Sequence, residues 1–172
     1  GADIALYSPV YYRGLPIPQG TVDMVDLIQC SRPFDEPLVT VELTGHDLLK
    51  IFDDNLPDAN LDRKMAIDQP GASPIIQVSG MRYAYDLTKP KGARIVASSL
   101  DPERTYVVAT EANALEYPTF RLAGLVRNLD YTPTATHLTL ALYGHAANMG
   151  IVRASVEGRV RDLSTSSKVP DR

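Results

Sequence analysis

The chain has 172 residues, the size of one domain, and 44% of them are apolar, enough to fill a core. Its 17 basic and 21 acidic residues give a formal net charge of −4, which leaves no broad basic footprint for nucleic acid and no polybasic membrane patch. No apolar run approaches the roughly 18–20 residues that span a bilayer, and the single cysteine, Cys30, excludes a disulfide within the chain. A lone cysteine suits a cytosolic protein and equally a secreted one that needs no staples. A chain that opens Gly1-Ala2 is expected to be a processed or cut piece, so the lack of a leader is silent about compartment.

In chain order, residues 2–8 (ADIALYS) read as a buried strand, followed by a turn-rich loop over 9–20 that carries Arg13. Thr21 is the expected cap of a short helix running to about Gln29, with Val22, Met24, Val25 and Ile28 as its apolar residues. Residues 38–49, LVTVELTGHDLL, hand a strand directly to a helix. Val39, Val41 and Leu43 alternate with Thr40 and Glu42, the period of a half-buried strand. Thr44 then stands at the N-cap, with Asp47 three residues on as its capping-box partner. Leu43 and Leu48 have the spacing of a hydrophobic staple. Leu48, Leu49 and Phe52 are expected to form the buried helix face, with Ile51 on its shoulder.

Residues 57–71 are polar and proline-bearing, and no regular element is assigned there. Four strand-like runs follow at 75–79, 82–87, 93–98 and 105–110. Thr88-Lys89-Pro90-Lys91-Gly92 reads as a hairpin turn between the second and third, and Asp101-Pro102-Glu103 as another turn. Helices are predicted over 117–128 and about 136–148, the latter stopped by Gly150, and a closing strand over 151–160. Residues 164–172, Ser/Thr-rich and without periodicity, read as a disordered tail behind a single domain over 1–163. Helices mixed with hairpin-linked strands make the fold class α+β.

Few residues offer chemistry. His46, His137 and His145 do not pair with one another, or with carboxylates, at metal-ligand spacing, so they read as structural or solvent-facing. Asp35-Glu36 and Asp53-Asp54 have the form of acid/base dyads, but adjacent acids usually solvate a surface. The nucleophile elbow G-x-S-x-G, the P-loop and H-E-x-x-H are all missing. Composition and spacing alone give the chain no catalytic engine.

From residue 3 to residue 162 the sequence nevertheless resembles the C-terminal domain of the 5'-nucleotidase family. The resemblance rests on Pro33-Phe34 with LVTVELTG, on QVSGMRYAYD (77–86) and on KPKGARIV (89–96). DPERTYVVAT (101–110) and VEGRV (156–160) complete it, all in the family's order. The resemblance implies a mixed β-sheet with flanking helices and a role in recognising the nucleoside part of a nucleotide substrate. It also implies a partner N-terminal metallophosphoesterase domain of the same parent chain, which holds two divalent metal ions and performs hydrolysis. The metal-binding signatures D-x-H, G-N-H-[ED] and G-H-x-H are absent here, so the chain reads as the recognition half alone. An extracytoplasmic setting, periplasmic, secreted or cell-surface, is a further implication.

The family's binding loop N-x-G-G-I-R corresponds to Ser8-Pro9-Val10-Tyr11-Tyr12-Arg13. Arg13 is kept, and its planar fork suits a substrate hydroxyl or anion, though a surface arginine tied to an acid fits equally. Ser8 stands for the asparagine, and bulky residues stand where glycine allows close ligand approach, so the loop must be shaped differently. Phe34 matches the first base-stacking aromatic and is equally compatible with a core position. The run resembling N-F-x-x-G-G-D-G-[YF]-P is 111–118, EANALEYP. Tyr117-Pro118 persist, Asn113 or a neighbour replaces the phenylalanine, and the ribose-binding aspartate has no counterpart. Stacking is worth about 1–3 kcal/mol per base, so one missing wall weakens binding about tenfold or more. Tyr11 or Tyr12 is a candidate replacement wall; filling of a collapsed pocket is the alternative. Two functions are therefore expected: substrate recognition for a nucleotidase-like hydrolase, or a non-catalytic binding or interaction module that kept the fold and lost the pocket.

Overall fold

The computed structural model describes residues 1–7, 17, 19–30, 36–56, 75–116, 130–153 and 155–164. Its elements are β1 (Ile4–Tyr7), α1 (Met24–Cys30), β2 (Pro37–Thr44), α2 (Gly45–Asn55), β3 (Gln77–Ser79) and β4 (Tyr83–Tyr85). They continue with β5 (Ile95–Ser98), β6 (Thr105–Glu111), α3 (Ala112–Glu116), β7 (Thr132–His137), α4 (Leu138–Met149) and β8 (Val160–Asp162). Two sheets result, a five-stranded one in the order β3-β1-β6-β2-β7 and a three-stranded one in the order β5-β4-β8. Parallel pairs (β1 with β6, β4 with β8) sit beside antiparallel ones, which is the mixed α+β architecture expected.

The β2–α2 unit forms as its sequence predicts. Val39, Val41 and Leu43 are buried while Glu42 is exposed. Asp47 N donates to Thr44 Oγ1 at 3.1 Å, and Thr44 N donates to Asp47 Oδ2 at 3.3 Å, closing the capping box. The next amides of α2 are satisfied from outside: Gly45 N donates to Arg104 O and His46 N to Pro102 O, each at 2.9 Å. That approach requires glycine, because a Cβ on residue 45 would stand 2.1 Å from Asp101 O. The buried face is Leu48, Ile51 and Phe52, with Leu49 at its edge; Ile51, not Leu49, occupies the centre.

The main core lies between one face of the five-stranded sheet, helix α2 and the smaller sheet. Ile4, Leu6, Val41, Leu43 and Val108 meet Leu48, Ile51 and Phe52 there, and Tyr83 and Tyr85 close it. Phe52 and Tyr83 stack at 4.7 Å between centroids, and Tyr83 Oη donates to Ile76 O at 3.0 Å. Burial, then the neighbouring Tyr85, pushes the Tyr83 phenol well above its ordinary range.

Several expectations need correction. The α1 cap is Asp23, not Thr21: Asp23 Oδ1 accepts from Val25 N at 2.8 Å and Asp26 N at 3.1 Å, while Asp26 Oδ2 accepts from Asp23 N at 3.0 Å. A carboxylate with an acid three residues on outcompetes a hydroxyl two residues upstream. Among the described side chains of α1, Leu27 is the buried one, whereas Val22, Val25 and Ile28 are exposed. Residues 132–137 form a strand that the sequence reading does not assign, so the helix predicted from about 136 starts at Leu138; the threonines favour the pleat, and Pro133 is tolerated because β7 is an edge strand. Helix α4 ends at Gly150 (φ 66°) as expected. The closing strand is displaced from the predicted 151–160: β8 begins only at Val160 and pairs Val160, Arg161 and Asp162 with β4, and Gly158 (φ 64°) breaks the run before it. Ser164, placed in the tail by sequence, accepts from Leu87 N at 2.7 Å.

The predicted hairpin is present. β4 and β5 pair antiparallel, with Lys89 N donating to Asp86 O and Ala93 N to Pro90 O across the turn. The Thr88 hydroxyl and amide hold the Asp86 carboxyl below its usual range. The predicted helix over 117–128 and the excursion over 57–71 lie outside the described residues.

Candidate functional site

Topology brings three strand ends to one end of the large sheet. β1 runs parallel to β6, with Ala5 beside Ala109, so Tyr7 and Glu111 both lie toward the C-terminal end of this pair. β2 runs antiparallel to β6 with Leu38 opposite Glu111, so its start lies at that same end. The segments that follow β1, precede β2 and follow β6 in sequence hold nearly all the residues that the sequence singles out.

Ser8, Tyr11, Tyr12, Arg13, Phe34 and Tyr117 lie outside the described residues. Asn113 is described: it sits half-buried in α3, two residues beyond the end of β6. His46 and His145 are exposed and His137 is half-buried. Among the described residues no three His, Cys, Asp or Glu side chains converge as a metal site. No reaction step through a metal is therefore assigned to these residues.

The Asp53-Asp54 pair is neither a dyad nor a solvated surface. Asp53 is 4% exposed and accepts from Gly92 N at 2.7 Å, Arg94 N at 2.6 Å and Arg94 Nε at 3.2 Å. Arg94 Nη2 also donates to the Asp53 backbone carbonyl, so the pair clasps the end of α2 to the β4–β5 hairpin. Asp54 points outward to Lys50 (2.7 Å) and Lys91 (3.1 Å), and these ammonium groups, Lys50 first, hold its carboxyl below the usual range. Asp35 lies outside the described residues, and Glu36 is half-buried.

On the sheet face opposite the core, helices α1 and α4 stand over a cavity of about 510 Å³. Ala5 and its register partners Ala109 and Ser79 make a floor of small residues. Leu27, Leu138 and Leu142 bring apolar walls, and Tyr7 and Glu111 line the cavity from the sheet end. Sequence reasoning missed both. A signal exists for Tyr7: alternation in β1 turns Ile4 and Leu6 to the core and Ala5 and Tyr7 away from it. For Glu111 no local signal exists, because its burial depends on packing from outside its own strand, beginning with the pairing of β6 with β2.

The 5'-nucleotidase C-terminal-domain family model matches residues 1–115. The chain belongs to this family. An apyrase from Tabanus yao is 28% identical over 107 residues, which cover 55% of this chain and 18% of the apyrase. A 5'-nucleotidase precursor from Thermus thermophilus superposes with a TM-score of 0.73 at 24% identity, over 94% of this chain and 32% of its own. The sulfate thiohydrolase SoxB of Thermus thermophilus (TM-score 0.68, 20% identity) is covered over 30% of its length by 99% of this chain. The NAD nucleotidase of Haemophilus influenzae gives 0.63 at 16% identity, over 95% of this chain and 28% of that one. At these identities the structures share the 5'-nucleotidase C-terminal fold, and the chain spans about a third or less of their length.

Proposed function

We propose that this 5'-nucleotidase C-terminal domain recognises the nucleoside part of a nucleotide for a metal-dependent phosphoesterase domain of the same parent chain. The observation that supports the reading best is the meeting of the strand ends at Tyr7, Leu38 and Glu111, next in sequence to the segments bearing Arg13, Phe34, Asn113 and Tyr117. In this reading Arg13 takes a hydroxyl or anionic group, Phe34 stacks on the base, Tyr11 or Tyr12 stands in for the missing second wall, and Ser8, Asn113 and Tyr117 shape the rest. The two divalent ions and the hydrolytic step belong to the other domain. The setting is extracytoplasmic, in keeping with the relative named as a precursor.

Calorimetric titration of the chain with adenosine, AMP and UMP tests this. Saturable binding that weakens about tenfold in Arg13→Ala or Phe34→Ala is the expected result. Flat titrations with all three ligands would sink it.

A second reading, an interaction module without a pocket, is favoured by one feature. Residues 131–152 contain no Asp, Glu, Lys or Arg, and Leu140, Leu142, Tyr143, Met149, Ile151 and Val152 are exposed there. Charge depletion around exposed apolar side chains is the composition of an interface centre. Light scattering that gives a monomer across the micromolar range would remove self-association from this reading.

A further inference from the structure

The cavity beneath α1 and α4 is apolar along its length and cationic at one end. Alternation along the strands sets its floor in two rows: Ser79, Ala5 and Ala109 are register neighbours in one, and Gln77, Tyr7 and Glu111 make the next. The small side chains of the first row leave a trough across the sheet, and Leu27 of α1 with Leu138 and Leu142 of α4 covers it. The lining reaches from Leu38 on β2 through β6 and β1 to Ser79 on β3. With strands about 4.8 Å apart, that crossing is about 14 Å long. The volume of about 510 Å³ is that of a small-molecule pocket.

The two ends differ in chemistry. Toward the start of β2, Glu111 is buried and engaged within the protein. At the other end β3 is an edge strand, and Arg159 stands at its outer side with Nη1 donating to Val78 O at 2.7 Å. That bond holds the guanidinium in place and leaves it several N–H donors for an oxyanion. Glu157 Oε2 lies 3.4 Å from Arg159 Nε, but both side chains are partly exposed, so water weakens the pair. Arg159 and Ser79 also line a second pocket, of about 360 Å³, together with Arg82 and Ser99. An apolar trough and a polar, cationic pocket therefore meet at Arg159.

A ligand that satisfies both has an apolar body and an anionic head. An extended chain advances about 1.2 Å per bond, so about twelve carbon atoms span the trough. The Glu157 carboxylate repels added negative charge, which favours a singly charged head over a dianionic phosphate. We infer that the cavity binds a medium-chain carboxylate, with its hydrocarbon chain over Ala109, Ala5 and Ser79 and its carboxylate on Arg159. This trough lies two residues back from the strand ends that the nucleoside reading uses, and the inference does not depend on that reading.

The test is calorimetric titration of the full 172-residue chain with octanoate, decanoate and dodecanoate below their micelle concentrations, with decanol and decyl phosphate as controls. Affinity is expected to rise about fourfold per methylene, and decanoate to bind more tightly than either control. Ala109→Leu and Ala5→Leu fill the trough and should abolish uptake. Arg159→Gln should weaken decanoate about tenfold or more and leave decanol unchanged, while Glu157→Gln should tighten decanoate. Melting temperatures identify any variant that fails to fold. If neither filled variant folds, magnetisation transfer between decanoate and the methyl groups of Leu27 and Leu142 in the unaltered chain supports the site, and its absence overturns it. No uptake of any carboxylate, or undiminished uptake by a folded filled variant, overturns the inference. So does a control that binds as tightly as decanoate.

Discussion

Asp53 shows how much one side chain can hold. Its carboxylate ties two backbone amides and a guanidinium at a buried junction between α2 and the hairpin. Removing one member of a buried pair leaves the other desolvated and uncompensated. Asp53→Ala is therefore expected to cost about 3–5 kcal/mol, read from urea unfolding at constant m-value. Asp54, one residue on, is a contrasting case because its partners Lys50 and Lys91 are mostly exposed. Asp54→Asn should cost less than about 1 kcal/mol at neutral pH. The carboxyl's folded-state pKa is depressed, so the contribution is present above the unfolded value and lost as pH falls through the folded one. The stability gap between Asp54→Asn and the parent should thus close on acidification below the ordinary carboxylate range; a gap independent of pH would show that the two lysines do not act on this group.

At the scale of elements, the β2–α2 unit is the best-determined part of the molecule. Thr44→Ala removes one cap acceptor and should cost about 1 kcal/mol. Gly45→Ala is expected to cost more, although Ala is the better helix former, because its Cβ would collide with the Asp101 carbonyl. Thermal melts of the two variants check the ranking; an alanine at 45 that stabilises the chain would refute the close approach. The cap and the strand alternation are legible because both are local: a few consecutive residues suffice for a capping box, and period two reads directly from the chain. Helix α1 shows the limit. Its existence is legible, but which side chains it buries is not, since Leu27 is selected by the sheet face it meets. β7 and β8 escape a sequence reading for the same reason. A strand is defined by its ladder, and these two pair far back along the chain, Thr132 with Thr40 and Val160 with Tyr83.

At the scale of the whole molecule, the five-stranded sheet divides two environments. One face carries the packed core with α2 and the smaller sheet, and the other carries a cavity under α1 and α4. Parallel pairing of β1 with β6 and antiparallel pairing of β2 with β6 bring sequence-distant strand ends together. Asn113 is the one candidate residue named from sequence that lies among the described residues, and it stands just beyond this convergence. Substituting it with alanine should weaken nucleoside binding less than tenfold, as expected for a single neutral hydrogen bond, with calorimetry as the measurement.

Reading along the chain was enough to establish the α+β class, the family, the N-cap of α2, the hairpin at Lys89–Gly92 and the end of α4 at Gly150. Each depends on residues close together in the chain or on a pattern spread evenly along it. Three-dimensional packing was needed to make Asp53 a buried clasp, to put Ile51 ahead of Leu49 in the core, and to bring Tyr7 and Glu111 together at an apolar cavity. Those outcomes depend on strand register and on which face a neighbour covers. Neither is encoded within reach of the residue concerned.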